Sequence, residues 1–245
     1  YVKLKDLLQE LDTGELDLEL TGFDMGEIED LMTQFHVPGE IIEDEVPEPP
    51  KEPITKPGNL WLLGRHRLLC GDATVAADVE RLMDGKKADM VFTDSPYGVN
   101  IVNDKGKVGA DNLAKNGVYA PVIGDDTTET AQQAYDIYSQ LCDKMILWGG
   151  NYFLNHLGYC KAPIIWDKLN GDSLYADGEM AWTSKGLPKN LKIWKHQWCG
   201  AFKDSERGAE KIHPTQKPVA LYEWLLYNYA KQGDKILDTH VGSAS

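Results

Sequence analysis

Four consecutive residues, Asp94-Ser95-Pro96-Tyr97, are of the types needed to hold a planar heterocycle that carries an amino group. They follow the apolar run Met90–Phe92 and precede Gly98, so we expect them where a buried strand ends. A carboxylate and a main-chain carbonyl can accept hydrogen bonds from an exocyclic amine, an aromatic ring can stack on the heterocycle, and a proline stiffens the turn. The four residues therefore predict a site for an amino-purine or amino-pyrimidine.

A second stretch, Asp238–Ser243, places an acid at the end of a predicted strand and then small residues. Gly242 has no Cβ, so the backbone there can approach a ligand closely. Taken alone, an ordinary strand-to-helix turn explains this pattern better than a ligand site does.

A third stretch, His213–Pro218, combines two prolines with the donors Thr215, Gln216 and Lys217 just before a predicted helix. Donors at a helix start suit a carboxylate or a phosphate. Alternatively, Thr215 caps the helix and Pro218 occupies its first turn. The two interpretations are compatible.

From Asn59 onward, strand and helix patterns alternate, which predicts an α/β fold with a mostly parallel sheet and helices on both faces. In such sheets ligands bind at the carboxyl ends of strands, where we expect Asp72, Asp94 and Asp238. Between the elements, Asp104–Gly124 is predicted to be a mobile loop. The predicted elements are the hairpin Trp61–Cys70 with its turn at Gly64-Arg65, the strands Ala88–Thr93, Lys144–Trp148, Ala162–Trp166, Ala181–Thr183 and Lys235–Asp238, and the helices Ala76–Met83, Thr127–Cys142 and Pro218–Ala230.

The net charge of −14 is concentrated at one end of the chain. Residues 1–57 hold sixteen Asp/Glu and four Lys/Arg, which leaves only −2 for the remainder. Helical leucine spacing followed by the Glu- and Pro-rich stretch 43–57 predicts an acidic helical segment and a linker. A solvated remnant of an upstream domain explains this segment better than a DNA mimic or a partner-binding arm does.

Other global features narrow the class of protein. No apolar run reaches the roughly 18 residues of a membrane span. The four cysteines form no C-x-x-C pair, so neither zinc nor a disulfide framework is indicated and reduced thiols in a cytoplasmic protein are expected.

Residues 185–212 interleave basic and aromatic side chains, a composition that suits phosphate contact and base stacking. A strand pair with buried tryptophans and exposed lysines explains the pattern equally well, and both can hold together. The residues expected to contact DNA are Lys189, Lys192, Lys195, Lys203 and Arg207, among Trp194, Trp198 and Phe202.

The order of these motifs resembles that of the β-class amino-DNA methyltransferases, which modify adenine N6 or cytosine N4. The likeness is greatest to phage and prophage enzymes in which a ParB-like domain precedes the methylase, and Leu18–Phe23 is similar to the tail of that domain. The resemblance rests on Gly71-Asp72-Ala73, Asp94–Tyr97, His213–Pro218 and Asp238–Ser243, with the connecting segments Leu147–Asn151, Ile165–Lys168 and Glu179–Ser184.

The resemblance implies a three-layer, Rossmann-like, S-adenosylmethionine-dependent methyltransferase domain over residues 58–245, with 1–57 as the tail of the ParB-like region. The Asp94 carboxylate and the Ser95 carbonyl would accept the amino hydrogens of a flipped base, Tyr97 would stack on it, and Pro96 would hold the loop rigid. The implied cofactor contacts are Asp238, Gly242 and Ser243 for the methionine part, Thr215, Gln216 and Lys217 for its carboxylate end, and Asp72 with Ala73 for the adenine.

Three functions remain open on the sequence. The leading Asp94 favours adenine N6 over cytosine N4 as the target in double-stranded DNA, and the third alternative is a non-catalytic DNA-binding or partition module. A homodimer is compatible with all three. Ser95 stands where proline is common, so we expect a looser loop. Because the chain stops at Ser245 within the glycine-rich turn, and Ala244 replaces a usual glycine, we expect a carboxyl-terminally incomplete sheet and weak cofactor binding.

Overall fold

The computed structural model describes residues 52–108, 119–171, 176–187, 190–199, 202–205, 213 and 215–242. The chain divides into two compact units, Tyr1–Ile54 and Thr55–Ser245, and the described residues lie almost entirely in the second. The predicted amino-terminal helices, Lys189, Arg207 and Ser243 fall outside the described residues, as does 109–118 of the predicted mobile loop.

A six-stranded sheet with the order β10-β3-β4-β6-β5-β7 forms the centre of the second unit. Only β6 runs antiparallel to its neighbours, so the sheet is mostly parallel, as predicted. The strands are β3 (Met90–Thr93), β4 (Met145–Trp148), β5 (Ile164–Asp167), β6 (Gly178–Thr183), β7 (Lys192–Lys195) and β10 (Ile236–Leu237).

Helices cover both faces of this sheet. Side chains alternate along β3, so that Val91 packs on one face with α1 (Ala76–Met83), α2 (Glu129–Tyr138) and α3 (Leu154–Leu157). Met90 and Phe92 pack on the other face with α4 (Val219–Tyr229), whose Leu221 and Leu225 are fully buried. Because both faces are buried, the central strands are continuously apolar, and the three-layer α/β prediction is confirmed.

Two short hairpins lie outside the six-stranded sheet. The first joins β1 (Leu60–Leu63) to β2 (His66–Leu69) through the predicted two-residue turn, where Gly64 has a φ of 61°. The second joins β8 (Trp198–Cys199) to β9 (Phe202–Lys203).

The expectation that Asp72 ends a strand of the main sheet is wrong. Asp72 follows β2, which pairs with β1 alone in the described part of the chain. The tight turn at Gly64-Arg65 pairs β1 with β2, but no local pattern indicates whether such a hairpin also joins the main sheet.

The predicted elements were otherwise located to within a few residues. Helix α1 has the predicted bounds, whereas α2 and most strands of the main sheet are shorter than predicted. Trp148 and Trp166 are core residues, with less than 2% of each exposed. No helix in the described ranges combines the length and the apolar character that a bilayer crossing requires.

Candidate active site

The carboxyl ends of two neighbouring parallel strands bring two of the predicted motifs together. Asp94 follows β3 and Asp238 follows β10, and the two strands are paired in parallel. The hydroxyl of Thr93, the last residue of β3, donates to Asp238 Oδ1 across this boundary at 2.7 Å. The loops after the two strands are thereby joined at their start.

A cavity of about 230 Å³ opens between these loops and the segment before α4. It unites the predicted base-binding residues with part of the predicted cofactor-binding set. Asp72, Ala73 and Asp238 do not line it, and neither do Lys192, Lys195 and Lys203. The predicted residues that line it are Asp94, Ser95, Pro96, Tyr97, Thr215, Gln216, Lys217 and Gly242.

One carboxylate oxygen of Asp94 accepts a hydrogen bond, and the other is buried without a partner among the described residues. Lys217 Nζ donates to Asp94 Oδ2, whereas the buried Oδ1 has no hydrogen-bond partner among the described residues. Burial raises the pKa of Asp94, and the charge of Lys217 opposes that rise. A buried oxygen without a donor is an acceptor site for a ligand, because leaving it unpaired is costly.

Tyr97 is fixed as a flat surface beside Asp94. Its ring stacks on that of Tyr152, with the centroids 4.8 Å apart and the planes 9° from parallel. A Cβ at Gly149 would lie 2.1 Å from the Tyr97 ring, so only glycine fits at that position. Burial, with the nearby charge of Asp94, raises the pKa of Tyr97, which keeps the phenol neutral.

Ser95 does not loosen the loop, contrary to the expectation. It is 3% exposed, and its hydroxyl lies 3.2 Å from Nδ1 of His240. The hydroxyls of Thr239 and Thr93 lie 2.9 and 3.4 Å from the same nitrogen. The polar side chain therefore ties the loop after β3 to the loop after β10.

His240 is a cavity residue that the sequence did not indicate. Burial lowers its pKa to about 4, against a smaller opposing effect of the Asp72 charge, so the imidazole is neutral near pH 7. The only sequence signal for His240 was its position within the stretch 238–243.

Asp72 does not line the cavity, but its charge acts on His240, which does.

Asp125 organises the backbone that follows Tyr97, and the sequence did not indicate it either. Its buried carboxylate accepts hydrogen bonds from the backbone N–H groups of Gly98, Val99 and Ile101 at 3.1, 3.2 and 2.9 Å. Gly98 has a φ of 81°, and a Cβ there would lie 2.8 Å from the backbone of Thr127. The loop that follows Tyr97 is therefore stabilised by hydrogen bonds to a buried carboxylate.

The segment before α4 differs from the predicted capped helix start. Pro218 is the N-cap of α4, which has no side-chain cap, so the interpretation of Thr215 as the cap is wrong. The Thr215 hydroxyl instead contacts His213 Nδ1 at 3.0 Å. The two residues between Thr215 and Pro218 place Thr215 beyond the reach of the first helical N–H groups.

Lys217, which lines the cavity, forms an ion pair with the partly buried Glu179, which does not line it. Lys217 Nζ lies 3.3 Å from Glu179 Oε2, and Lys168 donates to Oε1 of the same carboxylate. Burial acts to raise the pKa of Glu179, but the charges of Lys217 and Lys168 outweigh it and lower the value to about 2. Glu179 was missed as a site residue, although a charge within the otherwise apolar strand β6 was a signal for it.

Three of the predicted DNA-contacting residues, Lys192, Lys195 and Lys203, are described by the structure, and none of the three lines the cavity. Lys192 and Lys195 are exposed on β7, at one edge of the sheet. Lys203 Nζ lies 4.4 Å from the ring centroid of Trp198, which is buried. Among the described residues of the segment 185–212, Trp198 is buried and Trp194 is half-buried, while Lys192 and Lys195 are exposed, which agrees in part with the second interpretation.

Two family models match the chain. Residues 2–57 match the ParB-methyltransferase HTH domain, and residues 167–245 match the N6/N4 DNA methylase model. Among solved structures, the crystal structure of the M1.HpyAVI–SAM complex is similar with a TM-score of 0.42 and 20% identity, over 68% of this chain and 78% of that chain. The amino-terminal part of the chain is therefore similar to a ParB-methyltransferase HTH domain, and its carboxyl-terminal part is similar to the N6/N4 DNA methylases.

Proposed function

We propose that the chain transfers a methyl group from S-adenosylmethionine to the exocyclic N6 of an adenine flipped out of double-stranded DNA. The N6/N4 DNA methylases use S-adenosylmethionine, and a methylase domain and an HTH domain both imply DNA binding. The observation that carries the proposal is the open Oδ1 of Asp94, a buried acceptor in a cavity that Tyr97 also lines.

The amine of adenine is a weak nucleophile because its lone pair is delocalised into the ring. Hydrogen bonds from its two hydrogens to Asp94 Oδ1 and the Ser95 carbonyl favour a more tetrahedral nitrogen whose lone pair is available. The nitrogen takes the methyl group, gains positive charge and then loses one proton to Asp94 Oδ1. Orientation and electrostatic stabilisation supply the rate enhancement, and no covalent enzyme intermediate is needed.

Residues on the other side of the same cavity suit the methyl donor. Thr215, Gln216 and Gly242 line the cavity that contains Asp94, which is the placement that their predicted contact with the cofactor requires. When bound, S-adenosylmethionine supplies its methyl group on a positively charged sulfur that leaves as a neutral thioether. Lys217 was also predicted to meet the cofactor carboxylate, but its ammonium lies against Asp94 and Glu179 instead.

Tyr97 is the proposed stacking surface for the flipped base. Because Tyr152 covers one face of its ring, the base would stack on the opposite face. Such stacking contributes roughly 1–3 kcal/mol, which offsets part of the few kcal/mol that flipping costs.

The adenine assignment rests on the leading Asp94 and is tested by identifying the product. The chain is incubated with S-adenosylmethionine and unmethylated duplex DNA, and the DNA is digested to nucleosides and analysed by mass spectrometry. We expect N6-methyladenine. N4-methylcytosine alone would show that the target is wrong. Unmodified nucleosides, together with no calorimetric binding of S-adenosylmethionine by a chain extended past Ser245, would favour the non-catalytic DNA-binding module.

DNA contact by residues 185–212 is the remaining part of the proposal. The exposed lysines on β7 and the cation of Lys203 over Trp198 suit phosphates and bases beside the flipped nucleotide. Phosphate contacts predict binding that weakens steeply with salt.

A further inference from the structure

Four side chains of alternating charge form a continuous row that ends at the proposed catalytic carboxylate. Lys168 donates to Glu179 Oε1, Glu179 Oε2 lies 3.3 Å from Lys217 Nζ, and Lys217 donates to Asp94 Oδ2. We call Lys168, Glu179, Lys217 and Asp94 the charge row. Both oxygens of Glu179 are engaged in it, and one oxygen of Asp94 is left for a ligand.

The row is held by separate elements of the fold. Glu179 lies on β6 opposite Trp166 of β5, and Asp94 follows β3. Lys217 stands just before α4, with its ammonium 5.6 Å from the centroid of the Trp148 ring. Within the row, only Glu179 stands on a strand; Lys168 and Asp94 directly follow the ends of β5 and β3, and Lys217 shortly precedes α4.

Burial makes the charges of the row act strongly on one another. The side chain of Lys217 is 3% exposed and that of Glu179 is 27% exposed. The charge of Lys217 is thus removed from water and weakly screened, while that of Glu179 keeps partial contact with solvent; at a separation of 3.3 Å the two still change the potential at each other.

Lys217 alone would be a poor partner for the proposed chemistry. During methyl transfer, positive charge passes from the sulfur of the donor to the target nitrogen, which lies against Asp94 Oδ1. The ammonium of Lys217 on Oδ2 fixes the carboxylate but also opposes this developing charge. A second carboxylate beside Lys217 offsets the ammonium charge that the target nitrogen experiences, while Lys217 still donates to Asp94 Oδ2. Glu179 is that second carboxylate.

We propose that Glu179 is a positioning residue for methyl transfer: it offsets the charge of Lys217, so that Lys217 orients Asp94 without opposing the positive charge on the target nitrogen. The inference rests on the proposed function of Asp94.

The alternative is that Glu179 only stabilises the fold. Removing one member of a buried ion pair destabilises a protein in either case, so stability does not separate the two roles. The ionisation of Asp94 does separate them, because the Glu179 charge raises the pKa of Asp94 and that of Lys217 lowers it. His213 also acts on Asp94, and Tyr97, Tyr222 and Asp238 lie within electrostatic reach of it.

The test compares Glu179→Gln with the full wild-type chain. We expect kcat to fall by about ten- to a hundredfold, with KM for DNA and Kd for S-adenosylmethionine within about twofold of wild type. The acid limb of the kcat profile should move to lower pH, because a charge that favours protonated Asp94 is gone. Glu80→Gln, at an exposed position on α1, is the matched control and should change neither kcat nor the profile.

A second variant and a second measurement cover the case in which Glu179→Gln does not fold. Lys168→Met leaves the Glu179 charge less compensated, so the acid limb should move to higher pH, opposite to the Glu179→Gln shift. Carbon-13 NMR of the Asp94 carboxyl measures the same pKa shifts and does not require an active enzyme.

An unchanged Asp94 titration in the folded variant, or unchanged kcat in Glu179→Gln, would overturn the proposal. A wild-type chain with the predicted titration shifts but no methylated product would contradict the proposed function instead.

Discussion

At the scale of single residues, the adjacent residues Asp94 and Ser95 have different roles in the candidate site. In the proposed mechanism, Asp94 needs one open, ionised carboxylate oxygen, and its Oδ1 is buried without a partner among the described residues. The mechanism asks only a main-chain carbonyl of Ser95. The Ser95 hydroxyl has a different task, because it joins its loop to His240. Mutation of the Ser95 side chain should therefore affect the structure of the loop without removing the groups that are proposed to bind the target amine.

Ser95→Ala should reduce stability more than it reduces catalysis. Loss of the contact with His240 Nδ1 should lower the free energy of unfolding by about 1 kcal/mol, because His240 retains Thr239 as a partner. The rate of methyl transfer should stay within about threefold of wild type, since the carbonyl is unchanged. Urea denaturation and single-turnover kinetics measure the two effects, and a hundredfold loss of rate at unchanged stability would contradict this division of roles.

Gly149→Ala should disable the stacking surface. A Cβ at this position would lie 2.1 Å from the Tyr97 ring, so the ring must leave its place on Tyr152. We expect weaker base flipping, measured as a reduced rise in 2-aminopurine fluorescence at the target position.

Gly64→Ala is the matched control for this change. Gly64 has a similar φ of 61° against 67° at Gly149, but nothing lies within 4 Å of its added Cβ. It therefore carries the same backbone strain without the collision. Equal loss of fluorescence in both variants would show that strain, and not the displaced Tyr97 ring, is responsible.

At the scale of elements, the strands bring the motifs together and one internal acid shapes the loop between them. The Asp125 carboxylate accepts hydrogen bonds from the backbone N–H groups of Gly98, Val99 and Ile101, which follow Tyr97. Asp125→Ala leaves these N–H groups without their acceptor, so we expect a loss of about 1–3 kcal/mol in stability and a higher KM for DNA. Asp126→Ala, at the exposed neighbouring position, should change neither quantity.

The elements also show what the sequence could predict. Periodicity located α1, the central strands and the turn at Gly64-Arg65, because these follow from local patterns. The contacts between Asp94 and Lys217 and between Lys217 and Glu179 join residues far apart in the chain, and no local pattern encodes them. Asp72 was misplaced for the same reason, since strand pairing depends on the whole sheet.

At the scale of the whole molecule, the pH dependence of stability should report the buried site. Burial lowers the pKa of His240 from its usual 6.5 to about 4, so in this interval the unfolded chain binds the proton that the folded chain excludes. The contribution of His240 to stability should therefore be lost as the pH falls from about 6.5 to 4, whereas Asp94 and Asp238, whose pKa values are raised by burial, act in the opposite direction. Glu179, with its pKa lowered to about 2, continues the loss below its usual 4.5.

Urea midpoints at pH 7, 6, 5 and 4 measure this loss. His240→Gln should flatten the dependence between pH 6.5 and 4 and leave the lower part intact, because Glu179 remains. An identical slope in the variant would show that another group excludes the proton.

The most direct test of the account is single-turnover methyl transfer by Asp94→Asn. This change keeps the shape of the side chain but removes the charge and replaces one acceptor oxygen by an amide donor. The account predicts a loss of about a hundred- to a thousandfold in the rate of N6-methyladenine formation, with S-adenosylmethionine binding unchanged. A variant that methylates adenine at the wild-type rate would contradict the central claim that Asp94 accepts the hydrogens of the target amine.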